Sequence, residues 1–192
     1  MNKVLYLASK NTGKIAEYKK FLKDINCNLL LQPESLNIDE DGLSFRENAI
    51  KKACAVSQKT NHFAIADDSG LCIDALHGEP GIFSSRYADN DTKRIEKVLT
   101  KLSGIESRSC FFVAHICLSS PEGKIILESE AKCFGNIALK PRGNNGFGYD
   151  PIFEELDSRL TFAEMNDYMK DKSSHRGRAI KKILKDLKVI FQ

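Results

Sequence analysis

Two adjacent carboxylates, Asp67 and Asp68, close a short apolar run from Phe63 to Ala66 and are followed by Ser69-Gly70. A strand that delivers acids at its exit is suited to holding a metal ion or activating a water. If strand geometry persists through the pair, successive side chains point to opposite faces, so one acid meets a given ligand and the other supports it. Ser69-Gly70 reads as a turn, and Gly78-Glu79-Pro80-Gly81 as a second turn that folds the chain back towards the same place.

Four further stretches carry groups of the same kind. Ser9-Lys10-Asn11-Thr12-Gly13-Lys14 lies between an apolar run and a helix start. That arrangement makes an anion site, because first-turn amides point outward and the helix dipole is positive there. Ser9 and Asn11 add side-chain hydrogen bonds and Lys14 a full charge. It is not a Walker A loop, since Ala8 and Ile15 hold positions that need Gly and Ser or Thr. Asp39-Glu40-Asp41-Gly42 is an acidic turn ahead of a helix, where acids also serve as dipole partners. Between Pro141 and Pro151, Gly143, Gly146 and Gly148 let the backbone approach a ligand, and Phe147 and Tyr149 offer aromatic surfaces suited to a flat base. Lys170, Lys172, Ser173, Ser174, His175, Arg176 and Gly177 then lead into a last helix, a second anion-friendly helix entrance.

The elements that must position these groups follow from hydrophobic periodicity. Val4 to Ala8 reads as a buried strand, and Ile15, Tyr18, Leu22 and Ile25 as the apolar face of the next helix. Leu29 to Leu31 suggests a second strand. A helix runs from about Ser44 to Lys59, with Ser44 as N-cap, Glu47 in capping-box position, and Phe45, Ala49, Ala53 and Val56 as its buried stripe. Asn48 and Lys52 share another face of it, one turn apart. Asp91 to Leu102 is a helix with Ile95, Val98, Leu99 and Leu102 inward. Cys110–Leu118 and Lys124–Cys133 flank Ser119 to Gly123 as a long antiparallel hairpin. Ile180, Ile183, Leu184 and Leu187 mark the buried side of the last helix. His115 reads as a satisfied sheet residue, and His62 and His77 have no metal-ligand spacing.

Composition bounds what such a chain does. Its 192 residues allow one domain with a real core, here expected over 1–192. A net charge of +3 is too small to argue for wrapping nucleic acid, and its densest basic group, Lys181, Lys182, Lys185 and Lys188, fits a solvated helix face. No apolar run approaches the roughly 20 residues that cross a bilayer. The start, Met1 to Leu5, is too short for a signal peptide. The six cysteines are scattered without a Cys-x-x-Cys pair, which points to a reducing cytoplasm.

Taken together, the segments resemble the inosine triphosphate pyrophosphatase, or Ham1-like, family. The resemblance is collinear over nearly the whole chain: Ser9, Asn11 and Lys14; Phe45, Asn48 and Ala49; Ala66 to Leu71; Pro80 to Tyr87; Gly146 to Pro151; and Ser174 to Arg176. It implies an elongated α/β fold, with a mixed twisted sheet flanked by helices and two lobes around a central cleft, assembled as a homodimer. It implies magnesium-dependent hydrolysis of ITP, dITP and XTP to the monophosphate and pyrophosphate, which removes deaminated purines from the nucleotide pool. By similarity Asp68 is the proton acceptor and a magnesium ligand, Glu40 is the second metal carboxylate, and a magnesium-held water bonded to Asp68 is the nucleophile. Register from Gly42 favours Glu40, with Asp39 as its alternative. Ser9, Lys10, Asn11, Thr12, Gly13, Lys14, Ser69 and Lys170, with Lys52 or Arg86, would hold triphosphate and sugar. Phe147, Gly148, Tyr149, Asp150, His175 and Arg176 would hold the base. The opening differs from the family's usual Thr-Gly-Asn, but Ser9 keeps the hydroxyl and Lys10 adds charge.

Inosine carries an acceptor oxygen at position 6 where adenosine carries a donor amine. A cationic donor such as Arg176 aimed there would discriminate by roughly 10⁴-fold, because the amine leaves buried groups mispaired. The alternatives are a Maf-like pyrophosphatase for pyrimidine or modified nucleotides, and a nucleotide-binding regulator without turnover. Gly146 to Asp150 and Ser174 to Arg176 argue against the first. The joint presence of Asp68 and an acidic partner argues against the second.

Overall fold

The alternating and helical apolar patterns resolve into six strands and five helices among residues 3–192, which the computed structural model describes. Met1 and Asn2, part of the start weighed as a leader, lie outside the described residues. In chain order the elements are β1 (Lys3–Leu7), α1 (Thr12–Phe21), β2 (Cys27–Leu31), α2 (Phe45–Thr60), β3 (Phe63–Ile73), α3 (Asp91–Lys101), β4 (Ser109–Ser119), β5 (Ile125–Ile137), β6 (Phe153–Glu155), α4 (Asp167–Ser173) and α5 (His175–Ile190), with short 3₁₀ turns at Asp74–Leu76 and Gly81–Arg86. The sheet order is β2-β1-β3-β4-β5-β6. β1 pairs parallel with β2 and β3, while β5 pairs antiparallel with β6. The sheet is therefore mixed, and the fold is the expected α/β class. No described helix is long and apolar enough to cross a membrane.

β3 corrects one expectation. It does not end at Ala66 but continues through Asp67, Asp68, Ser69 and Gly70 to Ile73. Ser69-Gly70 is therefore strand, not turn. The reason is its central place in the sheet, between β1 and β4, and the buried Leu71 and Ile73 beyond the polar residues. The chain does fold back after Ile73, whose amide donates to Glu79 O at 3.2 Å, with Cys72 bridged to Pro80. Other boundaries shift less. α1 stops at Phe21, so Ile25 reaches the core from beyond the helix. The short strand β6 and the helix α4, which is capped by Asn166 accepting from Met169 N at 2.9 Å, were not anticipated.

The chain divides into two compact units. Unit 1 comprises residues 1–68, 114–131 and 179–192, and unit 2 comprises residues 69–113 and 132–178. Unit 1 has two cores, one for each face of its strands. Leu5, Leu7 and Ile65 pack with Tyr18 and Leu22 at α1 and with Ile180, Ile183 and Leu187 of α5. The alternate residues Ala8, Ala64 and Ala66 pack with Ala49, Ala53 and Val56 of α2. Small side chains on that second face let α2 lie close to the sheet. The core of unit 2 is aromatic, with Phe112, Phe153 and Phe162 at its centre beside Leu71, Ile73 and Val98.

Candidate active site

The alternation that sorts the cores also sorts the two acids. Asp67 has the parity of Ile65 and meets Lys14 of α1, with Nζ 2.9 Å from Oδ1. Asp68 has the parity of Ala66 and meets α2, where Lys52 Nζ donates to Oδ1 at 2.9 Å and Asn48 Nδ2 to Oδ2 at 3.3 Å. Both carboxylates are buried. Lys52 also donates to Glu40 Oε1 and to Asp67 O, each at 2.7 Å. Asp39 and Asp41 are exposed, and Asp41 pairs with Lys51. Within the acidic turn it is Glu40 that shares the Lys52 ammonium with Asp68.

Asp67, Asp68 and Glu40 stand against Lys14 and Lys52. Burial alone would lower the Lys52 amine, but Asp68, Glu40 and Asp67 together hold it above its ordinary value. Burial pushes the Asp68 carboxyl up, and the pull of Lys52 and Lys14 does not offset it. Desolvation thus outweighs the attraction of the two lysines at Asp68. The oxygens that accept from Lys52 Nζ are hard, two of them carboxylates, and oxygens of that kind are the ligands that suit magnesium. Glu40 and Asp68 fit such an ion.

The opening loop is built as a cap. Asn11 Oδ1 accepts from Lys14 N at 3.1 Å, and Ser9 Oγ accepts from Asn11 N at 3.2 Å. Thr12, Gly13 and Lys14 therefore form the first turn of α1, not a loop before it. Lys10 Nζ instead donates to Glu34 O and Asn37 Oδ1, at 3.0 and 2.8 Å.

Unit 2 gathers the remaining predicted residues. Arg176, in the first turn of α5 and 3% exposed, donates from Nη2 to Ser69 Oγ at 2.8 Å. Its guanidinium carbon lies 5.8 Å from the Phe147 ring centroid. Lys170, at the end of α4, donates to Asp150 Oδ2 at 2.7 Å and lies 4.9 Å from the same ring. His175 stacks on Phe112, with centroids 4.6 Å apart and planes 12° apart. Asp150 Oδ2 also accepts from Phe147 N at 2.8 Å. Gly146, at φ +78°, permits this approach, since a Cβ there would stand 2.0 Å from Asp150 Oδ2. Gly148 N donates to Asp91 Oδ2 at 2.7 Å. Tyr149 presents no open aromatic face: its ring is in the core and its hydroxyl donates to Ser84 O at 2.9 Å. Arg86 is exposed and stacks over Phe83 at 5.6 Å.

The Ham1 family's sequence model matches residues 5–186. The chain belongs to the Ham1 family. A relative from Prochlorococcus marinus subsp. pastoris, named dITP/XTP pyrophosphatase, is 67% identical over 98% of this chain and 99% of its own. The Ham1 protein structure from Coxiella burnetii superposes with a TM-score of 0.87 at 41% identity, covering 96% of this chain and 98% of its own. That of the Staphylococcus aureus Ham1 protein gives 0.86 at 37% identity, covering 98% and 100%.

Within this Ham1 chain, one residue went unassigned by sequence reasoning. Asn48 touches Asp68 directly. The signal was present, because Asn48 and Lys52 are polar residues at helical spacing beside Ala49 and Ala53, on a helix face that buries. Elsewhere, His115, Cys117 and Glu128 bring their ligand atoms within 4.8 Å of one another. Arg46 already engages both Glu128 oxygens, at 2.7 and 2.8 Å, and His115 Nε2 lies 3.0 Å from Oε2. Arg46, Glu128 and His115 thus form an ion-pair network on the sheet, but His115 is satisfied only at Nε2: its buried Nδ1 has no hydrogen-bond partner among the described residues and lies 3.6 Å from Glu130 Oε2.

Proposed function

We propose that this Ham1 protein is a magnesium-dependent nucleoside-triphosphate pyrophosphatase that hydrolyses dITP, XTP and ITP to the monophosphate and pyrophosphate, and so clears deaminated purines from the nucleotide pool. The observation that carries the reading is the convergence of Glu40 and Asp68 on one cation position, in a chain 67% identical to a protein named dITP/XTP pyrophosphatase. Cytoplasmic residence and a homodimer belong to the same reading and rest on the family resemblance and the free cysteines.

Glu40 and Asp68 would hold magnesium, which when bound neutralises phosphate charge and acidifies water. Asp68 would take the proton from the attacking water. Attack at the α-phosphorus releases pyrophosphate, whose charge needs cations along the leaving group. Lys14 and Lys52, with the first-turn amides of α1, supply that kind of support, and Ser9 to Gly13 line the same helix start. Phe147, Gly148, Asp150, Lys170, His175, Arg176 and Ser69 are assigned to base, sugar and phosphate contacts, while Tyr149, buried in the core, supports the loop that carries them. Among them Arg176 is the donor for a 6-oxo group.

A phosphate-release panel coupled to inorganic pyrophosphatase, across ITP, XTP, dITP, ATP, GTP and dTTP with magnesium, tests this. The expected outcome is far faster turnover of ITP, dITP and XTP than of ATP or GTP. Equal rates on all purines would sink the specificity, and binding without turnover would favour a regulator. Sedimentation of the purified chain tests the dimer, and a monomer at micromolar concentration would remove it.

A further inference from the structure

We propose that Asn48 is a positioning residue that fixes the acidic turn against β3, so that Glu40 and Asp68 meet one cation together. The proposal rests on the reading of those two carboxylates as the metal pair. One fully buried amide bonds both partners: Oδ1 accepts from Gly42 N at 2.8 Å, and Nδ2 donates to Asp68 Oδ2 at 3.3 Å. The neighbours dictate its orientation, because a backbone N–H needs the oxygen and a carboxylate needs the N–H₂. An aspartate in its place would set carboxylate against carboxylate, and a leucine would serve neither group.

The turn is shaped to sit on this amide. A Cβ at Gly42 would stand 2.7 Å from Asn48 Oδ1 and 2.9 Å from Glu47 Cβ, so a side chain there lifts the turn away. The next residue is pinned as well, since Leu43 N donates to Glu47 Oε2 at 2.8 Å, while Glu47 N donates to Ser44 Oγ at 3.1 Å. Lys52, one helical turn after Asn48, bonds Glu40 and Asp68 directly. α2 thus contributes two adjacent polar groups, one holding the pair by charge and the other holding the turn beneath Glu40. Groups that orient metal carboxylates in this way typically change metal affinity or activity by about 10–100-fold when removed.

The test measures Mn²⁺ binding to the nucleotide-free full chain by electron paramagnetic resonance, beside magnesium titrations of pyrophosphate release and thermal melts. The variants are Asn48→Leu, Gly42→Ala, Glu40→Gln and, as a control on the same helix, Arg46→Gln. Asn48→Leu and Gly42→Ala should each weaken Mn²⁺ binding by roughly 10–100-fold and raise the magnesium needed for half-maximal rate in parallel. Arg46→Gln should leave Mn²⁺ affinity unchanged even where it lowers the melting temperature, which separates positioning from stability. Gly42→Ala keeps the amide in place and guards against misfolding of the Asn48 variant. If Glu40→Gln weakens Mn²⁺ binding while the Asn48 and Gly42 variants stay within twofold of the parent, the positioning role is overturned and the metal pair stands. If Glu40→Gln binds Mn²⁺ as the parent does, the metal pair falls and the positioning role with it.

Discussion

Asp67 and Asp68 are consecutive residues with opposite partners: Asp67 answers Lys14 of α1 at 2.9 Å, and Asp68 answers Lys52 of α2 at 2.9 Å. The pleat of β3 makes the two acids unequal, and mutation should separate them. Asp68→Asn should lower kcat by about 10²–10⁴-fold, the range for losing a general base. Circular dichroism should remain native. Asp67→Asn should instead loosen Lys14, a charge-assisted contact of about 1.5–3 kcal/mol, and cost about 10–100-fold in kcat/KM. Equal losses of kcat in the two variants would contradict the division of roles.

Asp150 and Lys170 form a buried pair at 2.7 Å that also holds the Phe147 amide. Removing one charge from such a pair is more damaging than removing both, because the partner stays desolvated. Asp150→Ala should destabilise the protein by about 3 kcal/mol in urea titrations. The double change of Asp150→Ala with Lys170→Met should cost clearly less than the sum of the single changes Asp150→Ala and Lys170→Met. Simple additivity would show that the pair is not coupled.

Much of this was legible in the sequence, and the misses have local causes. The strand before Asp67, the Ser44 cap and the alanine stripe of α2 follow from period and capping rules that depend only on near neighbours. The length of β3 did not, because Ser69-Gly70 reads as a turn until β1 and β4 are known to flank it. β6 has three residues and too little pattern to register. Tyr149 reads as a ligand platform because it sits in a glycine-rich stretch, yet its contact with Ser84 spans 65 positions of chain. Asn48 was visible as a polar residue on a burying face. That it serves Gly42 and Asp68 at once is a tertiary fact.

Glu128 predicts a pH dependence. The Arg46 guanidinium, aided by His115 and against a smaller opposing effect of burial, holds its carboxyl below the usual range. The unfolded chain therefore binds this proton at higher pH than the folded one. Stability from the pair is present above the unfolded value of about 4.3 and is lost as pH falls through the lower folded value. Both residues are exposed, so solvent screening keeps the effect small. Arg46→Gln should flatten the rise in unfolding free energy between about pH 3 and 5, measured by urea midpoints. An unchanged slope would refute the assignment.

Arg176 carries the last prediction. Its guanidinium is almost wholly buried, bonds Ser69 Oγ through Nη2, and lies near the Phe147 ring. A planar, permanently charged fork placed beside a base discriminates by what it cannot accept. It donates to a 6-oxo group and has no acceptor for a 6-amino group. Arg176→Ala should therefore lower the ITP-to-ATP ratio of kcat/KM by at least about tenfold, chiefly through loss on ITP. Arg176→Lys keeps the charge but offers a single rotating ammonium, so its ratio should fall between those of the parent and the alanine variant. A purely structural Arg176 would depress both substrates alike and leave the ratio unchanged. That result, with native melting in the lysine variant, would remove Arg176 from base selection.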